Sequence, residues 1–374
     1  MDAFIPVNEP DLSGNEKKYL IECIETGWIS SEGPYVTKFE EQFSARVGRK
    51  YGIAMCNGTA ALIAAVRALK LSPGDEVIMP AFAIISCITA ILESGLTPVL
   101  VDSEPRTWNM DVNQVEPKIT PKTRAIMVVH TYGLPVEMNH VLDLARRHNL
   151  RIIEDAAEMH GQTYHGKPCG SFGEISAFSF YANKHITTGE GGMVVTDDAG
   201  LAERCRLLRN LCFQPARRFV HEEIGWNFRL TNIQAALGVA QLERLDQFVA
   251  RKRRMGALYH ELLCGVKGLE LPVPETPAAK SIYWVYGLVL SEEIPFGAPE
   301  MMERLKKLGT GTRPFFWGMH EQPMFQKRGW FKGEHYPVTE RIARRGFYVP
   351  SGLALTEAQQ LRVASAVKQA LGAL

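Results

Sequence analysis

Short apolar segments alternate with longer segments of helical spacing between residues 76 and 154. The predicted strands are residues 76–79, 98–102, 125–130 and 151–154, and the predicted helices between them are residues 83–94, 112–119 and 137–148. Alternation of this kind is typical of a mostly parallel sheet with helices on both faces. Because residues 125–129 are apolar throughout, we expect both faces of that strand to be covered. The chain is therefore predicted to be an α/β protein.

A second, smaller unit is expected at the C-terminal end. The helical spacing of residues 231–263 weakens near Gly265 and is followed by a proline-rich segment, residues 269–277. Beyond it, the predicted strands are residues 283–290 and 311–315, and the predicted helices are residues 301–308 and 357–371. We therefore predict a large domain over residues 1–264, including the N-terminal helices, and a small α+β domain over residues 265–374.

Composition and charge exclude several classes of partner. The 374 residues carry a formal net charge of +1, which gives no long-range field to attract nucleic acid or an anionic membrane. The longest apolar stretch, residues 79–92, is too short to span a bilayer, and residues 1–6 do not resemble a secretory signal. Seven scattered cysteines without a C-x-x-C pair indicate reduced thiols and no metal site. We therefore expect a cytoplasmic protein.

One lysine, Lys184, lies between a strand-like run and a glycine-rich turn at residues 189–192. Upstream, the predicted strand at residues 151–154 leads directly into Asp155, at the end of the strand where open α/β sheets bind ligands. A lysine amine with a lowered pKa can form a Schiff base with an aldehyde, and a carboxylate can keep a pyridine nitrogen protonated. Considered singly, Lys184 would be a solvated surface residue and Asp155 a helix cap. Their order along the chain favours a common site.

Residues 56–61 have the composition of a phosphate-binding turn. They follow a predicted strand at residues 51–55 and lead into a helix, so free backbone N–H groups would face an anion near Gly58 and Thr59. The same pattern also suits a tight turn selected only for packing. There is no G-x-G-x-x-G segment after the predicted strands, which argues against a nicotinamide cofactor.

Several further segments have distinctive sequences in a fixed order: LSGNE (12–16), GWISS (27–31), NGTA (57–60), PGDEVI (73–78), IEDAAE (153–158), FSFYANKHITTGEGG (178–192), GWNFRLTN (225–232) and TRPFF (312–316). Together they resemble the sugar aminotransferases of the DegT/DnrJ/EryC1/StrS group, most closely the perosamine synthases. The resemblance extends over nearly the whole chain. It implies a large domain of the aspartate aminotransferase type (fold type I), with pyridoxal 5′-phosphate as the cofactor and a small C-terminal α+β domain.

The resemblance also implies roles for individual residues. Lys184 and Asp155 are the predicted catalytic residues, Lys184 bonding the cofactor and Asp155 facing its ring nitrogen. Glu158 would tune the ring hydroxyl or polarise the lysine, and Asn227 would reach the cofactor phosphate of a second subunit. Such a shared site implies a homodimer. The full predicted cofactor-binding set is Gly58, Thr59, Asp155, Glu158, Ser179, Lys184 and Asn227.

A nucleotide sugar and an amino-acid donor are the implied partners. An arginine flanked by aromatic residues suits a diphosphate or a base, although an aromatic core with a surface arginine would have the same composition. The family often has an aromatic residue stacked on the cofactor ring where this chain has Ile84. Either Ile84 covers the ring itself, or the stacking role has moved. The predicted substrate contacts are Phe82, Arg313, Phe315 and His320.

The expected reaction transfers an amino group, by analogy from glutamate, to the 4-keto carbon of a nucleotide-linked 4-keto-6-deoxy sugar, as in perosamine synthesis for the O-antigen of lipopolysaccharide. One alternative is a related sugar 3-dehydratase, which has histidine where the aminotransferases have the Schiff-base lysine. Alignment on residues 186–192 places Lys184 in that position and gives His185 a surface or supporting role. The other alternative is a non-catalytic regulatory protein that binds pyridoxal phosphate, which the pairing of Lys184 with Asp155 disfavours.

Overall fold

The computed structural model describes residues 3–214 and 216–372. Its strands are β1 (Tyr51–Met55), β2 (Glu76–Pro80), β3 (Thr97–Val101), β4 (Thr123–Val129), β5 (Arg151–Asp155), β6 (Thr163–Tyr164), β7 (Lys167–Pro168), β8 (Ile175–Ser179), β9 (Gly192–Thr196), β10 (Leu269–Glu270), β11 (Tyr286–Leu290), β12 (Arg313–Pro314) and β13 (Gly346–Val349). Its helices are α1 (Glu16–Thr26), α2 (Pro34–Val47), α3 (Gly58–Ala68), α4 (Ile85–Glu93), α5 (Met138–His148), α6 (Ala199–Arg209), α7 (Asn232–Leu242), α8 (Leu245–Leu263), α9 (Ala298–Lys307), α10 (Pro323–Gln326), α11 (Pro337–Arg345) and α12 (Glu357–Leu371). None of the helices in this part of the chain is long and apolar enough to cross a membrane.

A seven-stranded sheet in the order β1-β9-β8-β5-β4-β2-β3 forms the centre of the larger unit. β9 is antiparallel to both of its neighbours, β1 and β8. The other neighbouring pairs are parallel. The predicted α/β fold with a mostly parallel sheet is confirmed.

Helices cover both faces of this sheet because its central strands are apolar on both sides. Along β4, Ala125 and Met127 belong to one core, whereas Ile126 and Val128 belong to the other. Successive side chains of a strand point to opposite faces, so a wholly apolar strand requires two covering layers. Residues of α3, α4 and α6 pack in the first core, and residues of α2, α5 and α7 pack in the second.

The C-terminal unit contains an antiparallel sheet in the order β10-β11-β13-β12. Its core joins Leu288 of β11 and Phe347 of β13 with Met301 of α9 and Val363 of α12. Tyr259 of α8 packs in the same core, so the last turns of α8 contact the C-terminal unit. The division between residues 264 and 265 stays a prediction.

The predicted helix at residues 112–119 is wrong. These residues form two short 3-10 turns, Val112–Gln114 and Glu116–Lys118. Pro117 has no backbone N–H to donate, and the Asp111 side chain instead accepts a hydrogen bond from the N–H of Asn113.

The predicted helical run at residues 231–263 is divided into α7 and α8 by long-range polar contacts. The carboxylate of Glu243 accepts hydrogen bonds from Asn15 (2.7 Å) and from the Tyr19 hydroxyl (2.6 Å). Arg244 forms an ion pair with Asp11 at 3.1 Å. These contacts with the N-terminal segment join residues far apart in the chain, so helical spacing alone does not show the break.

The C-terminal unit also differs from prediction, because β10, β13, α10 and α11 were not predicted and one predicted strand is much shorter. The strand expected at residues 311–315 is reduced to β12, because Pro314 cannot donate to a ladder and is confined to a sheet edge. The helix α11, which was not predicted, is strongly polar and buries only Thr339, Ile342 and Ala343. The Thr339 hydroxyl donates to Oδ1 of Asp102 (2.8 Å) and fastens this helix to the end of β3.

Candidate active site

A cavity of about 640 Å³ opens at the C-terminal ends of the parallel strands. Asn57 follows β1, and His130 follows β4. Asp155 is the last residue of β5, and Ser179 is the last residue of β8. Because parallel strands deliver their carboxyl ends to one edge of a sheet, residues distant in sequence meet there.

Asp155 is buried in the cavity wall, and two donors fix its carboxylate. The backbone N–H of Ala157 donates to Oδ1 (3.0 Å), and the Cys87 thiol donates to Oδ2 (3.0 Å). A carboxylate oxygen can accept more than one hydrogen bond. Asp155 can therefore still accept a hydrogen bond from a protonated ring nitrogen.

The turn after β8 presents Lys184 to the cavity. The backbone N–H of Lys184 donates to the backbone carbonyl of Tyr181 (2.9 Å), and Tyr181 forms an isolated β-bridge with Gly189. Gly189 has a φ of +80°, which glycine adopts without the steric cost of a side chain. The Lys184 side chain on this turn is only 9% exposed.

The Lys184 amine lies between a carboxylate and an indole. Its Nζ is 3.7 Å from Oε1 of Glu158 and 3.8 Å from the ring centroid of Trp284. Burial lowers the pKa of Lys184, an effect that the Glu158 carboxylate opposes. Burial raises the pKa of Glu158 to about 7, an effect that the Lys184 ammonium opposes. The two pKa values are thus displaced towards each other, which favours exchange of a proton between the groups.

The N-terminus of α3 forms a turn with free backbone N–H groups beside this pair. Oδ1 of Asn57 caps the helix by accepting from the third N–H of its first turn (2.8 Å). The N–H groups of Gly58 and Thr59, at the helix start, have no intrahelical acceptor by geometry. A Cβ added to Gly58 would lie 2.8 Å from Cβ of Ser179, so glycine permits the close approach of α3 to β8.

Two of the predicted substrate contacts, Phe82 and Phe315, do not border the cavity. They are 0% and 4% exposed, and their rings lie 5.9 Å apart in an aromatic cluster with Trp108 and Tyr132. Neither can touch a molecule in the cavity unless this cluster rearranges. Ile84, by contrast, is 41% exposed and lines the cavity. The structure therefore favours cover of the ring position by Ile84 itself.

Three further residues predicted to contact ligands, Arg313, His320 and Asn227, also lie outside the cavity wall. His320 is buried, and its Nε2 is 3.0 Å from Oε1 of Glu340 on α11. Arg313 is exposed and is paired in the strand register with Tyr348, which does line the cavity. Asn227 is also exposed in the single chain. His320 thus supports α11, whereas Arg313 and Asn227 can contact a ligand or a second chain.

A comparison with known protein families matches residues 10–368 to the DegT/DnrJ/EryC1/StrS aminotransferase family. The chain belongs to this family. It is 42% identical to the GDP-perosamine synthase of Caulobacter vibrioides and 40% identical to that of Escherichia coli O157:H7, in each case over 98% of both chains. The structure of Helicobacter pylori PseC, an aminotransferase involved in the biosynthesis of pseudoaminic acid, matches with a TM-score of 0.94 at 26% identity, covering 99% of this chain and 100% of that chain.

The aminotransferase depends on pyridoxal phosphate, and the geometry of its cavity fits that cofactor. The side-chain-free cradle at Gly58 suits a phosphate, and the fixed carboxylate of Asp155 suits a ring nitrogen. The Lys184 amine, with its lowered pKa, suits an aldehyde. The expected family, fold type, aminotransferase activity and cofactor are thereby confirmed.

Several residues of the aminotransferase site were not predicted from the sequence. Trp284, Phe316 and Tyr348 line the cavity from the C-terminal part of the chain. Phe316 ends the TRPFF segment but was not among the predicted contacts, and no local motif marks Trp284 or Tyr348. Cys87 was detectable in principle, because positions 84 and 87 share one face of a helix.

His185 is not the surface residue that the sequence allowed. Its ring is fully buried, and Nε2 lies 3.0 Å from the carbonyl of Ile282. It therefore supports the segment that carries Trp284, two residues further along the chain.

Proposed function

We propose that this aminotransferase transfers an amino group from glutamate to the 4-keto carbon of a GDP-linked 4-keto-6-deoxyhexose, as in perosamine synthesis for O-antigen. The observation that supports this substrate is the similarity, over 98% of the chain, to two GDP-perosamine synthases at 42% and 40% identity. We also place the enzyme in the cytoplasm, since its seven cysteines are free thiols.

In this proposal, each part of the cofactor has a partner in the cavity. Lys184 would bond its aldehyde carbon, and Asp155 would hold its ring nitrogen. Gly58, Thr59 and Ser179 would hold its phosphate through the start of α3 and the end of β8. Bound in this way, the cofactor supplies a ring that withdraws electrons from the substrate carbon.

Lys184 is the group that moves a proton at the substrate carbon when its amine is free. The backbone N–H of Tyr132 donates to Oε2 of Glu158 (2.6 Å), which leaves Oε1 facing the amine. With a pKa raised to about 7, Glu158 can accept or return a proton near neutral pH. The side chains of Lys184 and Glu158 are each 9% exposed, so little water can compete with this transfer.

The nucleotide sugar would enter along the outer wall of the cavity. Ile84, Phe316 and Tyr348 line this wall and offer apolar surface and one hydroxyl. Arg313, beside Tyr348, offers a planar cation of the kind that binds a diphosphate with two parallel hydrogen bonds.

A homodimer would complete the site. Apolar side chains are exposed around residues 28–29 and 219–224, where Trp28, Phe219 and Ile224 are 50%, 80% and 78% exposed. Exposed apolar patches of this kind mark protein interfaces. We propose that the partner subunit's Asn227 contacts the cofactor phosphate.

If so, mixing inactive Lys184→Ala chains with weakened Asn227→Ala chains should restore activity through hybrid dimers that contain one intact site. A mixture that is no more active than its separate components would contradict a shared site.

The substrate proposal is tested by incubating the purified enzyme with glutamate and a panel of GDP-, UDP- and dTDP-linked 4-keto-6-deoxy sugars. Mass spectrometry should detect an aminated product and 2-oxoglutarate, with the GDP-linked sugar converted fastest. The Lys184→Ala variant is the matched control. Faster conversion of another nucleotide sugar would overturn the assignment of GDP, and loss of a hydroxyl without amination would identify a sugar 3-dehydratase.

A further inference from the structure

Trp284 contacts the Lys184 amine although it belongs to a distant part of the chain. It lies just before β11, which begins at Tyr286, and its side chain is only 4% exposed. The Lys184 Nζ lies over the face of the indole, 3.8 Å from the ring centroid. Oε1 of Glu158 lies 3.7 Å from the same nitrogen. The amine thus has two close neighbours, one anionic and one aromatic.

Contacts of the indole N–H, the ring and the backbone carbonyl fix the position of the Trp284 ring. The indole N–H donates to the carbonyl of Asn183 (2.8 Å), the residue before Lys184. The backbone carbonyl of Trp284 accepts a hydrogen bond from the buried Nζ of Lys252 (2.9 Å), and the same Nζ donates to the carbonyl of Ser351. The rings of Tyr132 and Tyr348 pack nearby, at 5.9 Å and 6.3 Å between centroids. Movement of the ring would break several of these contacts.

The indole N–H and the ring face of Trp284 act on different parts of Lys184. The hydrogen bond to Asn183 fixes the backbone at the base of the Lys184 side chain. The ring face attracts an ammonium group and has no comparable attraction for a neutral amine. In a buried position this attraction is strongest, because water does not compete for the charge.

We propose that Trp284 is a positioning residue that holds the free Lys184 amine between its ring face and the Glu158 carboxylate, in place for proton transfer. The inference rests on the proposed role of Lys184 as the cofactor lysine. It implies that removal of the ring face destabilises the protonated amine. The pKa of Lys184, already lowered by burial, would then fall further.

Other titratable groups face Lys184 and would remain in place when Trp284 is changed. They are Asp155 at the end of β5, Glu158 just after that strand, Cys87 on α4, and the buried histidines His160 and His185. A change in the titration of Lys184 in a Trp284 variant therefore reports on the ring itself.

The test measures how fast the full-length, cofactor-free protein forms a Schiff base with pyridoxal phosphate across a range of pH, by stopped-flow absorbance. Only the neutral amine attacks an aldehyde, so the midpoint of the rate against pH reports the pKa of Lys184. In Trp284→Leu the midpoint should move to lower pH, with rates about 2- to 30-fold above native below the native midpoint. Trp284→Phe should shift the midpoint in the same direction by less, because phenylalanine keeps a weaker aromatic face. Trp330→Phe, at a partly exposed tryptophan stacked on Phe325, is the control and should match the native protein.

An unchanged midpoint in Trp284→Leu, including uniform slowing at every pH, would show that Trp284 only fills space and would overturn the inference. If that variant does not fold, Trp284→Phe decides by the same criterion. Borohydride reduction followed by peptide mapping separates the two proposals. An adduct on a lysine other than Lys184 would overturn the proposed function, whereas an adduct on Lys184 with an unchanged midpoint would overturn only the role of Trp284.

Discussion

Replacement of Gly58 by alanine is a direct test of the phosphate cradle. The added Cβ would lie 2.8 Å from Cβ and 3.1 Å from Oγ of Ser179, and contacts below 3.0 Å essentially do not occur between real Cβ atoms. The start of α3 and the end of β8 must therefore separate by several tenths of an ångström. Because β5 and β9 hold β8 on both sides, we expect the helix start and the Ser179 hydroxyl to move.

Two opposing effects determine the stability of Gly58→Ala. Overpacking of this contact costs about 1–3 kcal/mol. The better helix propensity of alanine offsets about 1 kcal/mol of that cost. The net loss is about 0–2 kcal/mol, which corresponds to a decrease of a few degrees in Tm. The fold should therefore survive the substitution.

The loss of cofactor affinity should be the larger effect. A hydrogen bond from the protein to a charged group contributes about 1.5–3 kcal/mol, and displacement of the cradle should remove at least one such bond to the phosphate. The Kd for pyridoxal phosphate should therefore rise about 10- to 100-fold. Titration of cofactor-free protein with pyridoxal phosphate, followed by absorbance, measures this change.

Gly200→Ala is the matched control, because Gly200 lies in the first turn of α6 and its added Cβ would meet only the Asp198 carboxylate, at 3.1 Å. It should bind the cofactor with native affinity. A Kd for Gly58→Ala within about twofold of native would contradict the assignment of this turn to the phosphate. Loss of one hydrogen bond to a charged group would change the Kd by far more than twofold.

Four further predictions concern the lysine, its partner, a buried histidine and the substrate wall. Lys184→Ala should lower the rate of amino transfer by about 10²–10⁴-fold or more, measured as 2-oxoglutarate formed, and native rates would exclude Lys184 as the proton-transfer group. Glu158→Gln removes the carboxylate that raises the pKa of Lys184, so the pH midpoint of Schiff-base formation should move to lower pH; a rise would contradict the geometry. Burial lowers the pKa of His160 from 6.5 to about 3, so the unfolded state binds a proton that the folded state does not, and stability is lost as pH falls through this window. His160→Phe should abolish this loss, about 1.4 kcal/mol per pH unit, in urea unfolding at successive pH values, and an equally acid-sensitive variant would refute it. Tyr348→Phe should raise KM for the keto sugar about 2- to 10-fold and leave the Kd for pyridoxal phosphate unchanged; the opposite pattern would place Tyr348 on the cofactor.

Six of the seven residues predicted to hold the cofactor line the cavity, because local sequence determines their positions. A run that is apolar on both faces, such as residues 125–129 of β4, must lie inside a parallel sheet, and β5 then delivers Asp155 to the ligand-binding edge. The small residues at the start of α3 specify a tight turn, whatever else surrounds it. Lys184 follows from the turn after β8 in the same way. Each of these inferences uses a short run of consecutive residues, the longest being residues 178–192 around Lys184.

The substrate wall could not be predicted in this way, because packing between distant segments determines it. Phe82 and Ile84 are two residues apart, and only the packing of Phe82 against Phe315 shows that Ile84 faces the cavity. Arg313 and Phe315 are also near neighbours in sequence, yet one is exposed and the other is buried in the aromatic cluster. Side chains two residues apart would share one face of a regular strand, but these segments are irregular, so spacing gives no information about which side chain a distant segment will cover.

Trp284 connects these two parts of the site. Its ring contacts Lys184, and its backbone leads into β11 of the C-terminal sheet. The hydrogen bonds from Lys252 to the carbonyls of Trp284 and Ser351 tie α8 to the residues just before β11 and just after β13. The position of the indole on Lys184 therefore depends on how the C-terminal unit packs against the large sheet. Proton transfer at Lys184 would in this way be coupled to the same packing that shapes the substrate wall, which gives a physical reason for the two functions to share one aromatic segment.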